Sequence, residues 1–219
     1  ERVLPGLHND RLHPALTELL PESIRVLGPD QLEEAAAGTE IAVMAANSNG
    51  ARSLAFIVAP TLPHVRSVVS IAKGLEPGTV SRISEVYRDE LGDRPTVVIG
   101  GPALAPEVAD GLPAAAVFAS TNPEALEETA ELFRTETYLV ETTSDVPGVE
   151  LCGTAKNVAA IGSGILEGLG RAREIEYKNA RAALFARAVH EMADFVEGSG
   201  GRRETAFGLA GMADLLVTS

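Results

Sequence analysis

The sequence has few of the residues from which metal sites and covalent crosslinks are built. Cys152 is its one cysteine, so the chain can form neither an internal disulfide nor a thiolate-rich zinc site. The histidines show no metal-ligand spacing; they are His8, His13, His64 and His190. We therefore predict no metal site. The nucleophile elbow, the phosphate-binding Walker loop and the Cys-His arrangement are also missing, which disfavours hydrolases and kinases.

Basic residues and long apolar runs are scarce as well. The 18 lysines and arginines stand against 31 aspartates and glutamates, for a formal charge of −13. Such a charge disfavours binding to nucleic acid and to anionic membranes, so a phosphate ligand must be held by a local group of cations. No apolar run reaches about 18 residues and no leader peptide is visible, so we predict neither a membrane span nor secretion. With the single cysteine, this predicts a reducing, cytoplasmic setting.

Short apolar runs alternate with amphipathic segments from Glu40 to about Thr143. The runs read as strands and are IAVMAA, SVVSIAKG, TVVIGG, AAAVFAS and TYLVETT. Between them lie helix candidates such as SRISEVYRDELG and NPEALEETAELF, the second with Asn122 as its predicted N-cap. The near-continuous apolarity of the runs predicts buried parallel strands in an α/β, doubly wound sheet. Ligands of such sheets bind beyond the carboxyl ends of the strands.

Beyond Pro147 the pattern changes to helices without strands. In NARAALFARAVHEMADFVEG the residues Phe185, Val189, Met192 and Val196 recur at helical spacing and are predicted to face a core. A third helical segment, ETAFGLAGMADLL, follows a GSGGRR turn. We therefore expect an α/β domain over residues 1–146 and an all-helical domain over residues 147–219.

A charged amine stands within the apolar segment GVELCGTAKNVAAIGSG. On a helix, Lys156 would share one face with Gly153 and small residues, while Asn157 would lie on the next face. An unpaired ammonium in apolar surroundings costs several kcal/mol, so Lys156 needs an explanation. One interpretation is a lysine that extends to solvent along a closely packed helix. The other is a pocket that holds an anionic ligand.

Further polar groups lie on or beside apolar, glycine-rich segments. Lys73 ends SVVSIAKG, and Asp214 and Thr218 are four apart in GLAGMADLLVTS, so on a helix they share a face. Gly100 and Gly101 follow a strand and either make a turn or let a ligand approach the backbone. The GSGILEG segment departs from a dinucleotide fingerprint, because its last glycine is one residue too far and no strand precedes it. It predicts close helix packing instead.

Together these segments resemble the soluble NAD(P)-dependent glycerol-3-phosphate dehydrogenase family. The matching stretches stand in family order and are AKGLEP, GGPALAPEVADGLPAAAVFAS, GVELCGTAKNVAAIGSGILEGLG, NARAALFARAVHEM and ETAFGLAGMADLLVTS. The resemblance implies a Rossmann-like parallel-sheet domain followed by an all-helical C-terminal domain. It implies reversible hydride transfer between NAD or NADP and dihydroxyacetone phosphate, giving sn-glycerol 3-phosphate for glycerophospholipid synthesis. A phosphorylated small-molecule substrate and a homodimer are further implications.

The resemblance also implies roles for individual residues. Lys156 matches the general acid/base, and Lys73 matches a second catalytic lysine that contacts the substrate carbonyl oxygen and the cofactor. We predict that partial burial and the charge of Lys73 lower the pKa of Lys156. The remaining matches are Asn157, Asp214 and Thr218 for substrate binding or for orienting the amine, and Ala105, Ser48 and Asn49 for contact with the dinucleotide.

The sequence departs from the family pattern in several places. The GxGxxG fingerprint and the first β-α unit would precede Glu1, and an Arg-Asn pair that grips phosphate would follow Ser219. Either the sequence is a fragment of a normal enzyme, which we favour because the polar set is retained, or it is a degenerate member without catalysis. Ala103, where many members have serine, also leaves open a related dehydrogenase of another hydroxy acid or sugar phosphate.

Overall fold

The structure, a computed structural model, describes residues 4–219 and contains one five-stranded sheet within that range. The strands lie in the sheet in chain order. They are β1 (Ile41–Met44), β2 (Ser67–Ser70), β3 (Thr96–Gly100), β4 (Ala114–Ala119) and β5 (Tyr138–Thr143). Each falls within one of the predicted apolar runs. The central strands are almost fully buried, as their sequences predict.

Helices precede, connect and cover the strands. Those before β5 are α1 (Leu4–Asp10), α2 (Leu32–Ala36), α3 (Ala51–Val58), α4 (Ile83–Leu91), α5 (Ala105–Ala109) and α6 (Pro123–Phe133). The predicted cap of α6 is confirmed, because the Asn122 side chain accepts a hydrogen bond from the backbone N–H of Ala125 at 2.9 Å. The described segment before β1 contains α1, a 3₁₀ turn (Pro29–Gln31) and α2, and is otherwise irregular.

One strand pairing runs against the predicted parallel direction. β1, β2 and β3 are mutually parallel, and so are β4 and β5, but β3 and β4 pair antiparallel with Val98 opposite Ala119. The link between β3 and β4 contains only the five-residue helix α5. A helix of that length is about 8 Å long and cannot return the chain along a strand of about 20 Å. The sheet is therefore mixed and mainly parallel.

Two long helices follow the sheet, of which the first packs against β3 and β4 and the second packs against the first. α7 (Val146–Arg173) begins at Asp145, whose side chain caps it, and α8 (Lys178–Gly198) follows after a short turn. Val149 and Cys152 of α7 join Met192 and Val196 of α8 in a core that also includes Val98 of β3. The predicted apolar stripe of α8 is confirmed. The predicted close packing of GSGILEG holds at Gly162, where a Cβ would lie 3.3 Å from Leu184 of α8, but not at Gly164 and Gly168, where a Cβ would meet no described atom within 4 Å.

The last segment is less regular than the predicted single helix. It consists of a 3₁₀ helix (Arg203–Phe207), one π-helical turn (Leu209–Ala213) and the short helix α9 (Asp214–Thr218). A Cβ at Gly211 would lie 2.2 Å from the carbonyl oxygen of Ala206, so the backbone folds back tightly at this glycine. This bend brings the start of α9 against α7 and buries Asp214.

Candidate active site

The parallel part of the sheet places Lys73 at the edge where ligands of such sheets bind. Lys73 follows β2 by three residues, at the carboxyl ends of β1, β2 and β3. Its Nζ lies 3.4 Å from the carbonyl oxygen of Gly101, which follows β3 and has φ +112°. That backbone conformation favours glycine, and a Cβ there would lie 3.2 Å from Cα of Ala116. The residue thus turns the chain and presents a carbonyl to the lysine.

Lys156 projects from α7 and is buried, with 5% of its surface exposed. Its Nζ donates to Oδ1 of Asp214 at 2.6 Å and to Oγ1 of Thr218 at 3.0 Å. The interpretation in which this lysine extends to solvent is therefore wrong. The two acceptors are one turn apart on α9, as their spacing predicts, and both face α7.

Asp214 joins the two lysines. Its Oδ2 accepts a hydrogen bond from Nζ of Lys73 at 2.7 Å, while Oδ1 binds Lys156. Asp214 is 2% exposed, whereas 35% of the Lys73 side chain is exposed to solvent. We call Lys73, Lys156, Asp214 and Thr218 the lysine pair site. Residues far apart in the sequence thus form one cluster, and Lys73 is its partly exposed member.

The lysine pair site carries net positive charge. Two ammonium groups face one carboxylate, in a chain whose formal charge is −13. Burial lowers the pKa of Lys156, and the nearby charge of Lys73 lowers it further, while the hydrogen bond to Asp214 opposes both effects. The pKa is therefore lowered in the direction predicted from the sequence. A proton on Lys156 is more readily released than one on an ordinary lysine.

A glycine lets α7 approach Lys73. A Cβ at Gly153 would lie 3.7 Å from Cγ of Lys73, so the lysine side chain lies across α7 at this residue. Gly100 permits a second close approach, because a Cβ there would lie 2.7 Å from Cγ1 of Val149 on α7. At Gly100 the closely approaching group is therefore α7 rather than a ligand.

The other residues predicted for the site lie around the lysine pair site rather than in it. Asn157 is exposed, and its amide nitrogen lies 3.5 Å from the carbonyl oxygen of Gly153. Ser48 is half-buried beside Gly74, where a Cβ would lie 2.9 Å from Oγ of Ser48. Asn49 and Ala105 are exposed, in the loop after β1 and at the first residue of α5.

These surrounding residues fit a nucleotide cofactor better than a metal. Within residues 4–219, no group of three metal-ligating side chains is found. The loops after β1 and β3 flank the Lys73 loop, because β2 lies between those strands. Ser48, Asn49 and Ala105 therefore border one open edge of the sheet, which is where a dinucleotide binds in doubly wound folds.

Two polar arrangements near the site were not predicted, one buried and one partly exposed. Glu150 of α7 accepts hydrogen bonds from the backbone N–H of Ser84 at 2.8 Å and from its hydroxyl at 2.6 Å, which ties α7 to the start of α4. Burial raises the pKa of Glu150. A carboxylate inside the apolar run GVELCG is the same signal that singled out Lys156. By contrast, nothing in the sequence around Arg52 indicates its contact with Glu76.

Within the described part of the chain, no helix combines the length and apolarity needed to cross a bilayer.

Comparison with known proteins gives the family. The model for the N-terminus of NAD-dependent glycerol-3-phosphate dehydrogenase matches residues 8–126, and the model for its C-terminus matches residues 145–219. A glycerol-3-phosphate dehydrogenase (NAD(P)+) of Clostridium acetobutylicum is 38% identical over 92% of this chain and 60% of its own length. An NADP(+)-dependent glycerol-3-phosphate dehydrogenase of Archaeoglobus fulgidus is 33% identical over 99% of this chain and 65% of its own length.

A solved structure agrees with these matches. The crystal structure of a glycerol-3-phosphate dehydrogenase from Coxiella burnetii superimposes with a TM-score of 0.90 at 32% identity, over 99% of this chain and 65% of that one. The chain spans less than two thirds of the length of these relatives. Because the two family models together match most of its residues, the chain belongs to the NAD-dependent glycerol-3-phosphate dehydrogenase family.

Proposed function

We propose that the chain carries the lysine pair site of an oxidoreductase that interconverts dihydroxyacetone phosphate and sn-glycerol 3-phosphate with NAD or NADP. The observation that carries the proposal is the buried Asp214 shared by Lys156 and Lys73, with one oxygen bound to each. The names of the relatives from Clostridium and Archaeoglobus support the reaction class. Supply of glycerophospholipid synthesis follows from the product and is part of the proposal.

In the proposed reaction Lys156 is the proton donor. When bound, the reduced cofactor supplies a hydride to the carbonyl carbon, and negative charge develops on the carbonyl oxygen. Lys156 transfers its proton to that oxygen and becomes a neutral amine, while the Lys73 ammonium stabilises the charge. In the reverse direction neutral Lys156 accepts the proton. The lowered pKa of Lys156 favours both directions. It makes the ammonium a better proton donor, and it increases the fraction of neutral amine that can accept a proton.

Asp214 and Thr218 orient the Lys156 amine in this proposal. Two fixed acceptors restrict Nζ to one position, which leaves its third proton for the substrate. Asn157 lies one residue further along α7 and binds the substrate. Ser48, Asn49, Ala105 and Lys73 contact the cofactor at the open edge of the sheet. The net positive charge of the site favours a phosphorylated substrate despite the acidic chain.

The proposal extends to the domain organisation, location and assembly. Residues 1–146 form the dinucleotide-binding part and residues 147–219 the substrate-binding and catalytic part. The location is cytoplasmic, where NAD(P)H is supplied. The assembly is a homodimer. An exposed apolar row on α7 supports it, formed by Val158, Ile161, Ile165 and Leu169.

Turnover with a panel of carbonyl substrates tests the proposal. NADH and NADPH oxidation is followed with dihydroxyacetone phosphate, with unphosphorylated dihydroxyacetone and with 2-keto acids. We expect turnover with dihydroxyacetone phosphate above all others. Preference for another substrate would identify a related dehydrogenase. Cofactor binding by the folded protein without turnover of any substrate would identify a non-catalytic member, and either result would overturn the proposal.

A further inference from the structure

Lys73 is held at the start of a loop whose backbone is tightly constrained. In residues 74–82, Leu75 packs against the core and pairs with Arg82, and the backbone N–H of Glu76 donates to the carbonyl oxygen of Ser81 at 2.9 Å. Val80 has φ +61°, a conformation that a β-branched residue rarely adopts. Contacts elsewhere must therefore hold the loop at Val80, because the backbone preference of this residue opposes the conformation it has.

The strongest of those contacts is a fork of hydrogen bonds from α3. Arg52 donates from Nε to Oε1 of Glu76 at 2.6 Å and from Nη2 to Oε2 at 2.9 Å, so the pair is bidentate. Thr79 of the same loop also donates to Oε2 of Glu76 at 2.6 Å. These bonds hold the Glu76 carboxylate ionised, and its pKa is lowered to about 2. Only 12% of the Glu76 side chain is exposed.

The same arginine also binds α4. Nη1 of Arg52 donates to Oε1 of Glu90 at 2.6 Å, and Nη2 lies 3.5 Å from Oδ2 of Asp89. Arg52 therefore connects α3, α4 and the loop. Glu76 is the one of its acidic partners that stands in the Lys73 loop, three residues beyond Lys73, whereas Glu90 and Asp89 stand on α4.

We propose that the Arg52–Glu76 pair is a positioning pair that holds the Lys73 ammonium against Asp214. Arg52 and Glu76 touch neither the reacting atoms nor the lysine pair site, so they act through the loop backbone. The proposal rests on the proposed roles of Lys73 and Lys156. Its consequence can be measured without enzyme turnover. When the pair is loosened, Lys73 moves away from Asp214. Lys156 then no longer has a positive charge nearby, and it is the one lysine that binds Asp214.

The direction of the resulting change separates positioning from simple loss of charge. Withdrawal of Lys73 raises the pKa of Lys156, because a repelling neighbour is removed and the attracting carboxylate is no longer shared. Glu76→Gln also removes a negative charge from the protein. At fixed geometry, that removal lowers the pKa of every lysine nearby. For Glu76→Gln, withdrawal of Lys73 therefore predicts a raised pKa of Lys156, whereas simple loss of the Glu76 charge predicts a lowered one.

The experiment is an NMR titration of the chain labelled with ¹³C at lysine Cε. The lysines of the sequence are Lys73, Lys156 and Lys178, so the spectrum holds few signals, and exposed Lys178 serves as the internal reference. Arginine substitutions at Lys73 and Lys178 assign them. Lys73→Gln gives the full effect of losing the neighbouring ammonium. Glu90→Gln is the matched control, because it also removes one carboxylate partner of Arg52, but that partner lies on α4 and not in the loop.

We expect Glu76→Gln to raise the Lys156 titration midpoint by about one pH unit, towards the Lys73→Gln value. Glu90→Gln should leave it unchanged. If Glu76→Gln does not fold, Arg52→Lys keeps the charge but loses the fork and should give a smaller rise. An unchanged or lowered midpoint in the folded variant, or equal shifts in both glutamine variants, overturns the proposal. A rise in a protein without dehydrogenase turnover would support the positioning pair and count against the proposed function alone.

Discussion

At the scale of single residues, the site depends on one carboxylate that compensates two ammonium groups. Lys156 is buried, and its other hydrogen-bond partner is the neutral hydroxyl of Thr218. An ionic group removed from water is tolerated when a well-placed partner and further hydrogen bonds satisfy it. Asp214 supplies the partner and Thr218 the further hydrogen bond. Removing the carboxylate is therefore expected to cost more than removing either lysine.

Asp214→Asn should destabilise the protein in a pH-dependent way. Loss of one partner of a buried ion pair typically costs about 3 to 5 kcal/mol, because the other charge is left uncompensated. The variant lowers the pKa of Lys156 further below its unfolded value. Stability then rises with pH as the folded protein releases this proton before the unfolded chain does. The loss of free energy of unfolding, measured by urea denaturation, should be larger at pH 7 than at pH 10. Asp194→Asn, which removes an exposed carboxylate, is the control, and a pH-independent loss would contradict the prediction.

The lysine pair site shows what the sequence reveals at this scale. Lys73, Lys156, Asp214 and Thr218 stand out because each is a polar residue within or beside an apolar, glycine-rich segment. Their convergence on one carboxylate depends on the bend at Gly211 and on the direction of α7, which no local pattern specifies. Arg52 lies in an amphipathic helix where a surface arginine is ordinary, so its contact with the Lys73 loop could not be predicted.

At the scale of elements, a hydrogen-bonded contact joins α4 to α7, the helix that carries Lys156. Glu150 precedes Lys156 on α7, and its carboxylate receives two hydrogen bonds from Ser84 in the first turn of α4. The pKa of Glu150 is raised because burial disfavours its charged form, although both bonds from Ser84 oppose this. The hydrogen bonds across the α4–α7 contact thus favour the ionised form of Glu150, against the larger effect of burial.

Ser84→Ala should weaken this contact more at high pH than at low pH. Leaving a buried charged acceptor without one donor costs about 1 to 3 kcal/mol. The variant raises the pKa of Glu150 further above its unfolded value. The loss is complete above the folded pKa of Glu150 in the variant and disappears as the pH falls below its folded pKa in the unsubstituted protein, where Glu150 is protonated with or without Ser84. Unfolding by urea at pH 8 and pH 5 measures it. Ser81→Ala, whose hydroxyl makes no hydrogen bond to the described residues, should be neutral at both values.

The strands could be predicted at this scale, but one of their directions could not. Apolar runs between amphipathic segments are a strong local signal, and all five runs form strands. The direction of β4 depends on the path of residues 101–113, which contain only the short helix α5. The single helix predicted at the end is interrupted because Gly208 and Gly211 stand within its apolar pattern, and the backbone bends there.

At the scale of the whole molecule, exposed apolar side chains stand out on an acidic chain. Val158, Ile161, Ile165 and Leu169 lie along one face of α7 and are all exposed. Rows of this kind commonly mark surfaces that pack against another protein. The proposed homodimer would cover this face, and the charge of −13 elsewhere on the molecule would oppose indiscriminate association.

Sedimentation equilibrium should therefore detect a dimer that depends on the apolar row of α7. Ile161→Lys combined with Ile165→Lys places two charges in the row and should shift the equilibrium to monomer. Phe56→Lys replaces an equally exposed apolar residue on α3 and should leave the dimer intact. A dimer unaffected by the α7 substitutions would show that another surface mediates association.

The most direct test of the lysine pair site is the rate of NAD(P)H oxidation with dihydroxyacetone phosphate, compared between the protein and Lys156→Met. Methionine keeps the length and removes the proton donor, while Lys73 still compensates Asp214. We predict turnover by the protein and a loss of about 10² to 10⁴-fold in the variant, with Lys178→Met as the unaffected control. Turnover that survives in a folded Lys156→Met protein would contradict the assignment of Lys156 as the proton donor.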